Sequence, residues 1–268
     1  MDFIFLDSGT GGLPYMQFLK DSCPEAQCIY LADTKNFPYG EKTPSQIIEA
    51  ATCAVQSVLA KWTPRAVVLA CNTMSVTALP ELRKRFPDVP FIGTVPAIKL
   101  ASSVTKNKRI GLLATNRTVN DSYTDNLKQK FAKDCVLVKR GDAQLINFIE
   151  HELFDSTKEE QINAVLPAVD FFVKQDVDTI ILGCTHFVHV VDVIQEAAGN
   201  KINVIDSRSG VVKQALKVAF SQNKTNFDDF SKPVSDRTFF VTGLQSSLEE
   251  EKYEQICKYY NIPWGGIL

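Results

Sequence analysis

The chain has 268 residues, of which 45% are hydrophobic and 22% are charged, and its net charge at pH 7 is −2. This composition is typical of a globular protein with a hydrophobic core. The near balance of charge gives no indication of the basic face that nucleic acids and anionic membranes select. No apolar run approaches the roughly 20 residues that a spanning helix requires.

The N-terminal residues 1–7 read as a strand, with neither the basic leader nor the small-residue cleavage site of a secretion signal. The seven cysteines are odd in number and scattered, which favours free thiols under reducing conditions. We therefore expect a cytoplasmic protein with no membrane and no nucleic-acid partner.

Short runs rich in Val, Ile and Leu alternate along the chain with segments of helical periodicity. The runs lie at residues 3–6, 28–31, 66–70, 91–93, 110–113, 136–138, 179–182, 204–205 and 239–241. The clearest helical patterns lie at residues 44–61 and 158–174. Continuous apolar runs are typical of strands buried on both faces, and their alternation with helices predicts an α/β fold with mostly parallel sheets.

The order of these elements occurs twice. Residue 110 begins the second copy 107 positions after residue 3, and Cys184 follows Cys71 by 113 positions. Self-similarity at this spacing predicts two pseudo-symmetric, doubly wound domains rather than a solenoid.

The remaining residues, from 208 onward, predict a helix at about 211–222, a polar linker around 223–233, a strand near 237–242 and a helix near 248–259. We expect them to complete the first domain. The predicted domains are then residues 1–97 with 208–268, and residues 98–207, with the active site in the cleft between them.

Cys71 and Cys184 occupy equivalent positions, each after a predicted strand and before a predicted helix. In open α/β sheets, ligands bind outside the carboxyl ends of the strands. Two domains facing each other would bring the thiols to one ligand from opposite sides. This arrangement inverts a stereocentre, because one group removes the Cα proton and the other protonates the opposite face.

A free thiol has a pKa of about 8.5, which a helix N-terminus and a polar neighbour can lower. His186, two residues after Cys184, is the candidate polariser of that thiol. Asp7 is a second candidate functional residue, because the end of a buried strand is a costly place for a carboxylate without a function. No lysine is placed to form a pyridoxal-phosphate Schiff base, and no His, Cys and carboxylate groups have close metal-ligand spacing. We expect neither a cofactor nor a metal.

Two other functions stay open on the residues alone. One is a thiol hydrolase with Cys71 as nucleophile and His186 as base. The other is a non-catalytic sensor that binds a dicarboxylic amino acid. We interpret His151 and His189 as surface or structural residues, and the remaining cysteines as small buried hydrophobic residues. These are Cys23, Cys28, Cys53, Cys135 and Cys257.

Four motifs resemble successive signatures of the bacterial glutamate racemases. They are Asp7-Ser8-Gly9-Thr10-Gly11-Gly12, Ala32-Asp33-Thr34 with Pro38-Tyr39-Gly40, Ala70-Cys71-Asn72-Thr73, and Leu182-Gly183-Cys184-Thr185-His186. The resemblance implies a two-domain aspartate/glutamate racemase fold, no cofactor, a homodimer, and interconversion of L- and D-glutamate for peptidoglycan synthesis and cell shape. The nearest alternative is a racemase of the same fold acting on aspartate or another small amino acid.

The resemblance also implies residue roles. Cys71 would serve D-glutamate with help from Asp7, and Cys184 would serve L-glutamate with help from His186 and from the carboxylate of Glu150. The residues that would hold the substrate are Asp7, Ser8, Tyr39, Gly40, Asn72, Thr73, Thr115, Thr118, Thr185 and His186. The chain departs from the family pattern after His186, where Phe187-Val188-His189-Val190 replaces an aromatic residue, a proline and leucines.

Overall fold

The computed structural model describes residues 1–221 and 237–268. They form two compact units: the first contains Met1–Thr94 and Arg208–Leu268, and the second contains Val95–Ser207. The predicted polar linker, residues 223–233, lies outside the described residues, as does the last residue of the helix predicted at 211–222.

The strands of the described ranges are, in chain order, β1 (Phe3–Asp7), β2 (Cys28–Ala32), β3 (Ala66–Leu69), β4 (Phe91–Gly93), β5 (Arg109–Ala114), β6 (Val136–Gly141), β7 (Thr179–Leu182), β8 (Asn203–Ile205), β9 (Arg237–Val241) and β10 (Trp264–Ile267). The α-helices of the same ranges are α1 (Leu13–Ser22), α2 (Pro44–Leu59), α3 (Asn72–Arg85), α4 (Ile98–Val104), α5 (Asn116–Val119), α6 (Ser122–Phe131), α7 (Ala143–His151), α8 (Lys158–Lys174), α9 (Val191–Ala198), α10 (Arg208–Ser221) and α11 (Ser247–Tyr260).

The predicted α/β class is confirmed, and each apolar run identified in the sequence forms a strand. Among the described residues, the first unit has a sheet of order β10-β9-β2-β1-β3-β4, and the second has the order β6-β5-β7-β8. The strand pairs in both sheets are parallel. The order β2-β1-β3-β4 matches β6-β5-β7-β8 strand for strand, which is the structural counterpart of the sequence repeat.

Helix α2 shows how local sequence builds the core of the first unit. Its start has a proline in the first turn and a capping box, in which Thr43 and Gln46 each bond the other's backbone N–H. Its apolar face, including Ile47, Ala51 and Val55, is buried in the cluster that contains strands β1 and β3. The helix therefore covers one face of the sheet and leaves the strand ends at the edge.

Strand β10, in the C-terminal segment, is the strand that the sequence did not predict. Strand β9 pairs with β2, and β10 pairs with β9 with a register shift between Trp264 and Gly266. Two glycines weaken the strand signal of this segment. Gly265 permits close packing, because a Cβ atom there would lie 2.6 Å from the Phe240 ring. Stacking of Phe239 on Tyr30, with centroids 5.3 Å apart, joins β9 to β2.

None of the helices in the described ranges combines the length and the apolar character needed to cross a bilayer.

Candidate active site

In the first unit, three neighbouring strands bring their polar carboxyl ends to one edge of the sheet. The ladder continues past the strands, since Asp33 donates its N–H to the Asp7 carbonyl at 2.8 Å and Ala70 donates to the Leu6 carbonyl at 2.7 Å. Asp33, Asp7 and Cys71 therefore lie at adjacent positions along this edge.

Cys71 is the N-cap of helix α3, with the extended backbone expected there (φ −142°, ψ 119°). Its Sγ atom is buried and accepts a hydrogen bond from the Met74 N–H at 3.5 Å. Both the N–H donor and the helix dipole favour the thiolate over the thiol. The local fold thus provides Cys71 with an activating environment made from backbone.

Asp7 is fully buried at the end of β1 and accepts the Ser8 N–H at 2.6 Å. Beside it lies a residue that the sequence analysis missed, Tyr30. The Tyr30 hydroxyl donates to the Gly9 carbonyl at 2.8 Å and accepts the Gly12 N–H at 2.9 Å, so it holds the loop after β1. Gly12 has no room for a side chain, because a Cβ atom would lie 2.6 Å from the Ala70 Cβ.

Asp33, which the motif contained but to which no role was given, organises the loop carrying Tyr39 and Gly40. The Tyr39 hydroxyl donates to Asp33 Oδ2 at 2.6 Å, and the buried carboxylate also accepts from Asn36 and Thr242. Burial raises the pKa of Tyr39 well above its usual value, and the negative charge of Asp33 adds to the rise. The Tyr39 hydroxyl is therefore neutral at physiological pH. Gly40 follows it in the short 3-10 helix Tyr39–Glu41.

Asn72 is 1% exposed, and neither its Oδ1 nor its Nδ2 atom has a hydrogen-bond partner among the described residues. A buried amide without partners costs free energy, and such groups are rare in folded proteins. Thr73, the next residue, is equally buried. Asn72 is thus a candidate ligand-binding residue.

In the second unit, strands β5 and β7 are neighbours, and Gly183 extends their ladder by donating to the Leu113 carbonyl at 2.7 Å. Thr115 and Cys184 therefore follow adjacent strand ends. Thr115 caps helix α5: its hydroxyl accepts the Thr118 N–H at 3.0 Å and donates to the Thr118 hydroxyl at 3.0 Å. Thr185, beside Cys184, is also buried.

Cys184 is the first of three side chains that are joined in series by hydrogen bonds. Its Sγ atom is 3.7 Å from His186 Nδ1, and His186 Nε2 is 2.9 Å from Glu150 Oε2. The three side chains are each at most 5% exposed. The structure thus places Glu150, from helix α7, on the imidazole that contacts Cys184.

Burial lowers the pKa of His186, but the hydrogen bonds and the charges of Cys184 and Glu150 outweigh it and hold the pKa well above the usual value. A protonated imidazole next to a thiol favours the thiolate. The helix that follows Cys184 is the 3-10 helix Thr185–Val190, and its N–H groups make no cap bond to the Cys184 side chain. The second thiol is therefore served mainly by side chains.

The segment in which the chain departs from the family pattern completes this 3-10 helix. Phe187, Val188 and Val190 are buried, and His189 packs edge-on against Phe154 with ring centroids 5.7 Å apart. The loop shape is thus supported by apolar packing.

All seven cysteines are free. Cys23, Cys28, Cys135 and Cys257 are buried as interpreted, and burial raises the pKa of Cys257 to about 12. Cys53 differs from the interpretation, because it is exposed on helix α2. Within residues 1–221 and 237–268, no group of three or more His, Cys, Asp and Glu side chains is arranged to hold a metal ion.

A model of the Asp/Glu/hydantoin racemase family matches residues 16–215. The glutamate racemase of Treponema pallidum (strain Nichols) is 39% identical over 266 residues, which cover 99% of this chain and 96% of that one. The glutamate racemase of Proteus mirabilis is 34% identical over 256 residues, or 95% of this chain and 85% of that one.

Among solved structures, Escherichia coli glutamate racemase, crystallised with L-glutamate and the activator UDP-MurNAc-ala, matches with a TM-score of 0.86 at 28% identity. The match covers 100% of this chain and 98% of that one. The resemblance identified from the motifs is confirmed. The chain therefore belongs to the Asp/Glu/hydantoin racemase family, among the glutamate racemases, and is an isomerase.

Proposed function

We propose that the enzyme interconverts L- and D-glutamate without a cofactor, with the thiols of Cys71 and Cys184 as the two proton-transferring groups. One observation carries this proposal: two buried thiols lie at equivalent strand ends of matching topology, and each has its own activating environment. The glutamate racemases that match nearly the whole chain support glutamate as the substrate.

In the L-to-D direction, the Cys184 thiolate removes the Cα proton of L-glutamate. The electron pair of the broken C–H bond remains on Cα and spreads into the α-carboxylate. The Cys71 thiol then donates its proton to the opposite face of Cα, which yields D-glutamate, a Cys184 thiol and a Cys71 thiolate. Proton exchange with solvent resets the pair, and the same steps in reverse serve D-glutamate.

The groups around each thiol would keep it ready for its step. His186 is hydrogen-bonded to Glu150, and its protonated ring would stabilise the Cys184 thiolate. The N-terminus of α3 and the Met74 N–H stabilise the Cys71 thiolate. Asp7, at the neighbouring strand end on the same sheet edge, would assist Cys71, as the family resemblance implies.

Substrate binding would use the polar groups at the strand ends. The Asn72 amide offers a donor and an acceptor that have no partners within the described part of the chain, which suits a ligand that carries carboxylates and an ammonium group. Charge-assisted hydrogen bonds to such groups are the strong ones. The proposed holding residues are Asp7, Ser8, Tyr39, Gly40, Asn72, Thr73, Thr115, Thr118, Thr185 and His186.

In the cell, D-glutamate made by this reaction would supply peptidoglycan synthesis and so support cell shape. We place the enzyme in the cytoplasm, where seven free thiols stay reduced. We also propose a homodimer, and domains limited to residues 1–97 with 208–268 and to residues 98–207. Size-exclusion chromatography with light scattering, and expression of residues 98–207 alone, test these two points.

Proton NMR of L-glutamate with the enzyme in D₂O tests the reaction. We expect the Cα proton signal to disappear while D-glutamate forms, and aspartate to react far more slowly. Retention of the Cα proton would contradict the racemase assignment and leave the binding protein or the hydrolase as the function. Faster inversion of aspartate would instead indicate an aspartate racemase. The hydrolase alternative requires His186 to act as the base for Cys71, but the imidazole is hydrogen-bonded to Cys184.

A further inference from the structure

The C-terminal strand β9 ends beside the loop that carries Tyr39 and Gly40. Thr242, the residue after β9, continues the ladder by donating its N–H to the Ala32 carbonyl at 3.0 Å. Its hydroxyl donates to Asp33 Oδ1 at 2.7 Å and accepts the Lys35 N–H at 3.1 Å. The hydroxyl thus connects the end of β9 to both sides of the turn after β2.

The Asp33 carboxylate links Thr242 to Tyr39, because each of its oxygens accepts a hydrogen bond from one of them. While Oδ1 accepts from Thr242, Oδ2 accepts the Tyr39 hydroxyl at 2.6 Å. Asp33 is 2% exposed, so its carboxylate is held mainly by protein donors. A buried carboxylate depends on its donors, and hydrogen bonds to charged groups are worth more than neutral ones.

A second contact ties the same two segments together. The Thr34 hydroxyl donates to the Gly243 carbonyl at 2.5 Å and accepts the Gly243 N–H at 3.3 Å. The segment after β9 therefore clamps the turn after β2 at two successive residues, although they are 209 positions apart in sequence.

We propose that Thr242 is a positioning residue for racemisation, which acts through Asp33 to fix Tyr39 and Gly40 for substrate. The inference rests on the proposed function in one respect, since that function gives Tyr39 and Gly40 to the substrate. Thr242 itself does not touch the substrate. Its loss would weaken substrate binding more than it would slow proton transfer, because the thiols are held by other elements.

The test compares Thr242→Val, which removes only the hydroxyl, with Thr242→Ser, which keeps it. We expect T242V to raise KM by about tenfold with a smaller change in kcat, and T242S to restore KM. Thr63→Val, at an exposed threonine, is the matched control and leaves both constants unchanged. Should T242V fail to fold, Thr242→Cys keeps the size with a weaker donor and carries the same expectation.

A double-mutant cycle with Tyr39→Phe separates positioning from general loosening. We expect the KM effects of T242V and Y39F to be non-additive, because both break the same relay through Asp33. A wild-type KM in T242V, or effects that multiply, would overturn the proposal. Racemisation assays on the wild type first establish which amino acid is inverted. An error in the glutamate assignment is therefore detected separately from an error in the role of Thr242.

Discussion

The two cysteine sites occupy the same place in two copies of one topology, yet their surroundings differ. Cys71 caps a 14-residue helix and accepts a backbone N–H, so its stabilisation comes from main-chain dipoles. Cys184 precedes a short 3-10 helix without such a bond and relies on His186 and Glu150 instead. A repeated scaffold thus fixes where a thiol stands, while separate side chains determine how it is activated.

The largest expected effect comes from removing either thiol. Cys71→Ser and Cys184→Ser should each lower kcat for racemisation by about 10²–10⁴-fold, because a hydroxyl is a far weaker acid and base catalyst than a thiol near pH 8. Circular dichroism of glutamate measures the rate. Cys53→Ser, at the exposed cysteine on α2, is the control and should keep full activity. Full activity in either active-site variant would contradict the proposal that both thiols transfer protons, since only one thiol would then be needed.

A smaller effect should distinguish the two sites. His186→Asn and Glu150→Gln should lower kcat about ten- to hundredfold, because Cys184 loses the positively charged neighbour that favours its thiolate. Iodoacetamide alkylation, followed by peptide mass spectrometry across pH, reports on each thiol. We expect both variants to slow the alkylation of Cys184 and to leave that of Cys71 unchanged. Equal slowing at both thiols would contradict separate activation.

The protonation state of His186 sharpens the same point. Its raised pKa adds stability that is complete below the unfolded-state value of about 6.5 and is lost as the pH rises through the folded-state value. The chain has three histidines, so NMR can follow each ring. We expect the His186 ring to stay protonated above pH 7 and Glu150→Gln to lower its pKa, with the exposed His151 unchanged. An unchanged pKa of His186 in E150Q would show that the Glu150 carboxylate does not stabilise the protonated imidazole.

The smallest kinetic effect is expected at Asn72. Asn72→Leu should raise KM about tenfold, because the amide is lost as a substrate partner. In the absence of substrate, the same change should leave the free energy of unfolding equal or higher, because it removes a buried amide that has no hydrogen-bond partner among the described residues. Steady-state kinetics measures KM, and urea unfolding without glutamate measures the free energy of unfolding. A large destabilisation of the free enzyme would show that Asn72 has a structural role.

The sequence predicted the strand ends and both thiols because buried parallel strands leave unbroken apolar runs, and polar residues after such runs stand out. It did not predict what depends on distant packing. Tyr30 reads as a core residue of β2, and only the fold reveals its hydroxyl on the Gly9–Gly12 loop. The bond from Thr242 to Asp33 spans 209 positions, and no local pattern encodes it. Strand β10 was missed because its glycines have low strand propensity.

The central claim is that each thiol takes the proton from one enantiomer. A glutamate analogue with chlorine on the β-carbon tests it most directly, since loss of HCl needs removal of the Cα proton by one thiol and no protonation by the other. With the D-analogue, C71S should lose elimination and C184S should retain it, and with the L-analogue the pattern should reverse. Chloride release that falls equally in both variants for both enantiomers would contradict the two-thiol account.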